Sequence, residues 1–497
     1  MTEIYRGLET SEEIKRGGDI SEGIQNTARD KLENLEFNEL LGMFEKFQNE
    51  ETNINMNTTE RDNAPIFSSS GKNITFQEAQ IQISYPTQIK QALIDLYKEY
   101  NLYFGKVITE CTQGQTQYPS IGDYKTTSNF VQIDMMGIPK GFLDFVQENN
   151  IPIALVKEVL RKKIFEIENS VAAYSLLSHI GTPEGNSVFN QGLKAGIKSI
   201  NSSTGKNVIL LCLSQEKYES VMRFDIGIQN IDNYERKDIT SSTGFYDVYS
   251  PADLQRSIEE NEDILFYTRS SLDIGDLKKP NGTIANTLLG EKDVFEYVRS
   301  RSITHNIDNP NGSSENTTND TKKYMPQMGI GYPVSSIEEI YTEEYLNYLS
   351  GKRKNDFFGK IYTNNFGAFL QGYGYNNDDI RGGKIEIHAK PQDLAYGVYG
   401  HIIGDFSDGK KRKMFKQGLE TRGDYIIQPR MKQSLYTDSQ TEISYIYIDR
   451  VFLYFDYESG EIESMGGFRN HMPKESNDGK KGVVHGGPQT VYSNITL

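Results

Sequence analysis

One segment constrains this chain more than any other: a run of apolar residues that steps by three or four positions from Ile153 to Tyr174. Ile153, Val156, Leu160, Ile164, Ile167, Val171 and Tyr174 fall on one side of an α-helix, because about 3.6 residues make a turn. Lys157, Glu158, Arg161, Lys162 and Glu166 fall on the other side. Leu155, Val159, Ala173 and Leu177 widen the apolar stripe, as in a helix that packs on a sheet as well as on a neighbour. Asn150 can cap the start, Pro152 suits the first turn, and Gly181 suits the residue past the end. The spacing predicts one helix over 152–180, roughly 40 Å long at about 1.5 Å per residue, and the longest in the chain.

What precedes it is poor in core residues. Residues 1–75 form an acidic, Asn-rich arm with 15 acidic and 8 basic side chains. Its one amphipathic stretch, 27–47, carries Leu32, Leu35, Leu40, Met43, Phe44 and Phe47 as a stripe. Residues 48–72 are polar and turn-rich and read as a flexible linker. Further on, 81–85 alternates like a strand, 88–100 suits a short helix, and 103–111 and 129–135 read as two strands. The polar stretch 112–128 between them, with Tyr118, Ile121 and Tyr124 as its apolar residues, completes an extended hairpin. A two-stranded ribbon is marginal alone, and ordering each residue costs about 1–2 kcal/mol of backbone entropy. Arm and hairpin tip are therefore expected to make their main contacts with neighbouring subunits.

Beyond the helix, a Gly-rich connection leads to an apolar run at 208–213 that reads as a buried strand, with Cys212 an inert core residue. Ser214 can cap a helix containing Tyr218, Val221 and Met222. Residues 251–262, 291–299 and 335–350 look helical, 264–268 strand-like, and 306–321 a surface loop. From 384 onward strands dominate, best seen at 385–388, 425–428 and 444–457, with a turn at Ser459-Gly460. These shifts divide the chain into an arm (1–75), a hairpin region (76–140), the long helix with its connection (141–205), a second α/β region with an insertion (206–400) and closing strands (401–497).

Composition excludes several classes. A chain of 497 residues suffices for about three structural units. No run approaches the roughly 20 apolar residues of a membrane span. The first six residues lack a signal-peptide pattern, and Cys111 and Cys212 are the only cysteines, so we expect synthesis in a reducing cytoplasm and no disulfide framework. A net charge of −16 leaves only a local patch for nucleic acid, Lys410-Lys411-Arg412-Lys413 with Arg422 and Arg430, which reads more simply as a solvated turn.

The search for chemistry returns no catalytic, cofactor-binding or metal-ligating residues. Among His179, His305, His388, His401, His471 and His485, no two lie three or four positions apart. His179 falls where a cation complements a helix end. No phosphate-binding loop or nucleophile elbow occurs, and the Gly pairs at 329–331 and 372–374 read as turns. The acidic stretches 376–379 and 405–409 lack the spacing of a calcium loop and read as solvated loops. Arg422-Gly423-Asp424 abuts a strand, and the Asn-x-Ser/Thr triplets at Asn57, Asn73, Asn201 and Asn311 follow from Asn-rich composition. Tyr447 and Tyr454 suit cross-strand packing better than sugar stacking.

The order of arm, hairpin (103–135), long helix (152–180), Gly/Pro connection (Gly181-Thr182-Pro183-Glu184-Gly185) and strand-then-helix (206–222) resembles the major capsid protein of tailed bacteriophages, the Hong Kong-type capsid fold. The Asn-rich, Trp-free composition and the size resemble the crAss-like phages of gut bacteria. The resemblance implies an α+β subunit with an N-terminal arm, an extended β-hairpin loop, a long spine helix, an axial domain with an insertion, and peripheral β-strands. It further implies self-assembly into hexamers and pentamers of an icosahedral virion shell around double-stranded DNA, held only weakly and without sequence preference. Portal and accessory head proteins would be its other partners. No enzyme activity, cofactor or membrane is implied. Lys106 and Lys125 flank the loop, but nothing singles them out for the covalent crosslink some members make. Two other readings stay open: a portal, tail or head-decoration protein, and a carbohydrate-active enzyme.

Overall fold

The computed structural model describes residues 36–49, 52–63, 74–112, 120–121, 124–125, 130–168, 192, 195, 207–211, 226–228, 264–268, 287–289, 331–352, 359–382, 385–391, 401–406, 408–422, 425–456, 458–476, 484 and 490–497. The protein is α+β. The first part of the chain gives α1 (Phe37–Asn49), β1 (Thr52–Ile54), β2 (Thr58–Asn63), β3 (Ile74–Ala79), β4 (Ile83–Ser84), α2 (Thr87–Thr112), β5 (Ser120–Ile121), β6 (Tyr124–Lys125), β7 (Phe130–Met136), α3 (Lys140–Glu148), α4 (Ile153–Lys163) and β8 (Ile164–Glu168). The middle gives β9 (Asn207–Leu211), β10 (Ile226–Ile228), β11 (Ile264–Thr268), β12 (Thr287–Leu289), β13 (Tyr332–Val334), α5 (Glu343–Leu349), α6 (Asn364–Gly372), α7 (Asn377–Gly382), β14 (Ile387–Pro391), β15 (Ile402–Gly404), α8 (Gly409–Arg422) and β16 (Tyr425–Pro429). β17 (Ser434–Asp438), β18 (Ser444–Phe455), β19 (Ile462–Pro473) and β20 (Val491–Thr496) close the chain.

The axis of the fold is the β18–β19 pair, two 12-residue antiparallel strands that serve two structures at once. Along one edge of β18, residues 444–447 pair with β17 and residues 448–454 pair with β7, which in turn carries β8. Beyond β19 lies β20, whose start pairs with β3 and whose end pairs with β4. The β7 half is covered by helices. Leu40, Leu41 and Phe44 of α1, Ile89, Leu93 and Tyr97 of α2, Phe142 and Val146 of α3, and Val156, Val159 and Leu160 of α4 pack on Val131, Ile133, Val451 and Leu453 of the sheet. Charges brace the helices laterally, with Glu99 of α2 meeting Lys157 and Arg161 of α4, and Glu45 of α1 meeting Lys163.

The other half curls into an open barrel, whose edge strands β1 and β2 are not paired with each other. β1 pairs with β17 at one edge of the sheet and β2 pairs with β3 at the other, yet only residues 55–57 join β1 to β2. That link spans at most about 14 Å fully extended, so the two edges must lie side by side. Met56 fastens them: its N–H donates to the Asp438 carboxylate at 3.0 Å, and its carbonyl accepts from Gln80 at 3.2 Å. The enclosed space is filled by Met56, Ala79, Tyr436, Tyr445, Tyr447 and Val491.

Between these parts of the chain two further sheets form. One has the order β10-β9-β11-β12, and the other, β13-β16-β14-β15, runs across position 400. The second builds its own aromatic core with Tyr341, Phe366, Phe369, Phe406, Phe415 and Tyr425.

Several expectations are corrected. The helix expected over 152–180 stops at Lys163, and the chain turns into β8. Ile164 and Ile167 satisfy the helical step, but Ile164-Phe165-Glu166-Ile167-Glu168 also alternates, and pairing with β7 decides the outcome. Its 11 residues are well short of the 26 in α2. Residues 103–111, expected as the first strand of an extended hairpin, belong to α2, and among the described residues of 113–129 the only pairing is that of β5 with β6. Once a helix is nucleated each added residue gains a hydrogen bond, which outweighs weak β-propensity. The expected linker 48–72 supplies β1 and β2, and within the arm Leu40, Phe44 and Met56 are buried against the same chain. Strands are found at 207–211, 264–268, 387–391, 425–429 and 444–455, close to their expected places. The expected helices at 214–222, 251–262 and 291–299 and residues 169–180 lie outside the described residues, as do the side chains of 208–213.

Phe44 is fully buried, in edge contact with the Phe142 ring at 4.8 Å. Phe44→Ala should therefore destabilise the protein by about 3–5 kcal/mol, read by chemical denaturation. Deleting residues 1–50 should cost at least as much, because it removes α1 whole.

Candidate functional site

Three polar constellations stand out. The first is a buried ion pair at the centre of the main sheet. Asp449 on β18 and Arg469 on β19 are cross-strand partners with almost no exposure. The guanidinium grips the carboxylate with two hydrogen bonds, 2.5 and 2.7 Å, and donates a third to the Ile138 carbonyl at 2.7 Å. The second carboxylate oxygen also accepts from the Tyr85 hydroxyl (2.6 Å) and the Ile138 N–H (2.8 Å). Arg469 lies over the Tyr447 ring at 4.3 Å. Burial opposes its charge, but the Asp449 carboxylate more than offsets this and holds the guanidinium protonated. Burial, then Asp449, push the Tyr85 hydroxyl well above the usual phenol range, so it stays a donor. Close approach fixes the neighbouring turn: a Cβ on Gly137 would lie 2.0 Å from the Tyr447 ring.

The second constellation continues into the barrel. Tyr436 hydrogen-bonds His471 Nδ1 at 2.7 Å, and His471 Nε2 meets Ser493 Oγ at 2.6 Å. A hydroxyl beside an imidazole oriented by a third group has the form of an activated nucleophile. Ser493, His471 and Tyr436 are each no more than 1% exposed, however, so no substrate reaches them. The row joins β17, β19 and β20 inside the barrel. Burial, reinforced by Arg469, drives the His471 pKa well below 6.5.

The third is partly open to solvent. His388 on β14 and His401, just before β15, meet nitrogen to nitrogen, Nε2 to Nδ1, at 2.9 Å. Their ring centroids are 4.9 Å apart. The His388 ring is surrounded by protein atoms, which depresses its pKa, with Lys390 and His401 adding to the effect. Nothing in a search for helical His spacing finds this pair; the antiparallel register of β14 and β15 creates it.

The other sequence candidates resolve into structural roles. Asn376 caps α7 by accepting from the N–H groups of Asp378 and Asp379, and Asp408 caps α8 by accepting from those of Lys410 and Lys411. Those two N–H groups also lower the Asp408 pKa. The basic run expected as a turn is instead the first turn of α8. Tyr447 and Tyr454 are buried in the sheet. His179, His305 and His485 lie outside the described residues. Among the described residues, no group of three or more His, Cys, Asp or Glu could hold a metal ion, and no helix is long and apolar enough to cross a membrane.

No family model matches the chain, and no curated protein does. Among solved structures, the apo form of a glutathione synthetase-like effector from Globodera pallida aligns over 83% of this chain and 88% of its own at 10% identity, with a TM-score of 0.28. A likeness at that level carries no argument.

Removing one member of the central pair leaves a buried charge without its partner. Asp449→Asn or Arg469→Met should each cost about 3–5 kcal/mol, whereas Asp449→Leu combined with Arg469→Met should recover much of the loss; denaturant titration of the three variants reads this directly. His471 sets a pH dependence. Its folded pKa lies below the unfolded value, so its contribution is complete above about pH 6.5 and is lost as pH falls below it, at up to ~1.4 kcal/mol per unit. Denaturation midpoints between pH 7.5 and 5 should fall more steeply for the wild type than for His471→Gln.

Proposed function

We propose that this chain is a structural subunit that assembles with copies of itself, the major capsid protein of a tailed bacteriophage. One observation carries the reading: residues 37–168 and 434–497 build a single body, while the sheets of 207–289 and 332–429 are inserted between those parts. A peripheral domain made from both ends of the chain around an inserted axial domain is the organisation that the resemblance implies. Among the described residues α2, not α4, is the longest helix, about 39 Å at ~1.5 Å per residue. A subunit of net charge −16 would line the packaged DNA without gripping it.

The two polar rows of the main body also favour a structural role, since each is sealed from solvent and joins strands distant in sequence. Full-length protein, concentrated under crowding conditions and imaged in negative stain, should yield five- and six-fold capsomers or closed shells. Rings of a single fixed symmetry would favour a portal or tail component. A monomer under every assembly condition would overturn the proposal.

A further inference from the structure

We propose that His388 and His401 bind a borderline divalent transition-metal ion, of the zinc or copper class, where the β13–β16 sheet meets β8. Both imidazoles lie on one face of the β14–β15 hairpin. His388 pairs with Ile403 and Ala389 with Ile402, which places His401 on the diagonal from His388. Because β14 is hydrogen-bonded on both sides, by β15 and by β16, the backbone beneath His388 is fixed.

Two ring nitrogens 2.9 Å apart must share a proton, one donating and the other accepting. Exchanging that proton for a metal ion needs little movement. With metal–nitrogen bonds of about 2.0–2.1 Å and a near-tetrahedral angle, the two nitrogens sit roughly 3.3 Å apart. Opening the pair by about 0.4 Å is within reach of a small rotation of the His401 ring, which lies just outside β15. Two imidazoles supply half of a tetrahedral set, and water would take the other two positions.

The surrounding charges act in both directions. Lys390 and Arg430 act against a cation at His388, although Lys390 donates to the Phe165 carbonyl at 3.0 Å and lies over the Phe165 ring. Arg430 is paired with Glu386 at 2.6 Å. Glu166, next to Phe165 on β8, supplies a negative field that acts on His388. Imidazole nitrogen selects copper and zinc over calcium or magnesium. The bound ion would pin the hairpin beside β8, where Gln428 already donates to the Phe165 carbonyl at 3.0 Å.

The test uses the full chain with zinc sulfate in equilibrium dialysis and with cupric ion in electron paramagnetic resonance. One zinc ion per chain and a copper signal split by two imidazole nitrogens are expected. His388→Gln and His401→Gln should each weaken zinc binding at least about tenfold, while the combined replacement of His179, His305 and His485 by Gln leaves it unchanged. His401→Gln, at the more open position, serves if His388→Gln fails to fold. Absence of saturable zinc binding by the folded wild type, or binding that His401→Gln leaves intact, overturns the proposal.

Discussion

Asp449 and Arg469 face each other where the helix-covered half of the main sheet passes into the barrel. The contact ties together four segments of the chain. Arg469 reaches the β7–α3 turn through the Ile138 carbonyl, Asp449 reaches the start of α2 through Tyr85, and the guanidinium forms one wall for Tyr447 inside the barrel. Desolvating two charges costs several kcal/mol each. The cost is offset by five short hydrogen bonds made within and onto the pair. The geometry therefore has little latitude, and a shift in any one of the four segments would leave a buried charge exposed to apolar walls.

The barrel solves a different problem. A curled sheet has two edges, and a free edge is a template for unwanted pairing. Here one stretch of the chain serves both edges, β1 covering β17 and β2 covering β3, with Met56 between them. The polar sequence of β2, Thr-Thr-Glu-Arg-Asp-Asn, suits the outer edge that results. Backbone pairing with β17 and β3 orders these strands, so a segment of polar sequence can take part in the sheet.

That also explains what the sequence reveals and what it conceals. Strands such as 444–455 and 425–429 are legible because their apolar runs are too dense and too β-branched for a surface helix. The end of α4 is not, because Ile164 and Ile167 fit both periods and only β7 distinguishes them. Residues 52–63 look like linker because the partners that order them are β3, just after them, and β17, far along the chain. The candidate sites are concealed for the same reason. Asp449 and Arg469 are 20 positions apart, and His388 and His401 are 13 apart, and in each case strand register alone brings them together.

The strap at 52–57 also orders events in time. Its partners in β17 lie about 384 positions later, and β3 waits for β20 more than 400 positions on. During synthesis these first segments emerge long before anything exists for them to pair with. The main body can close only after the inserted sheets have been made and β20 has left the ribosome. Partly made chains therefore lack the closed body, and any surface that depends on it is withheld until β20 has been made.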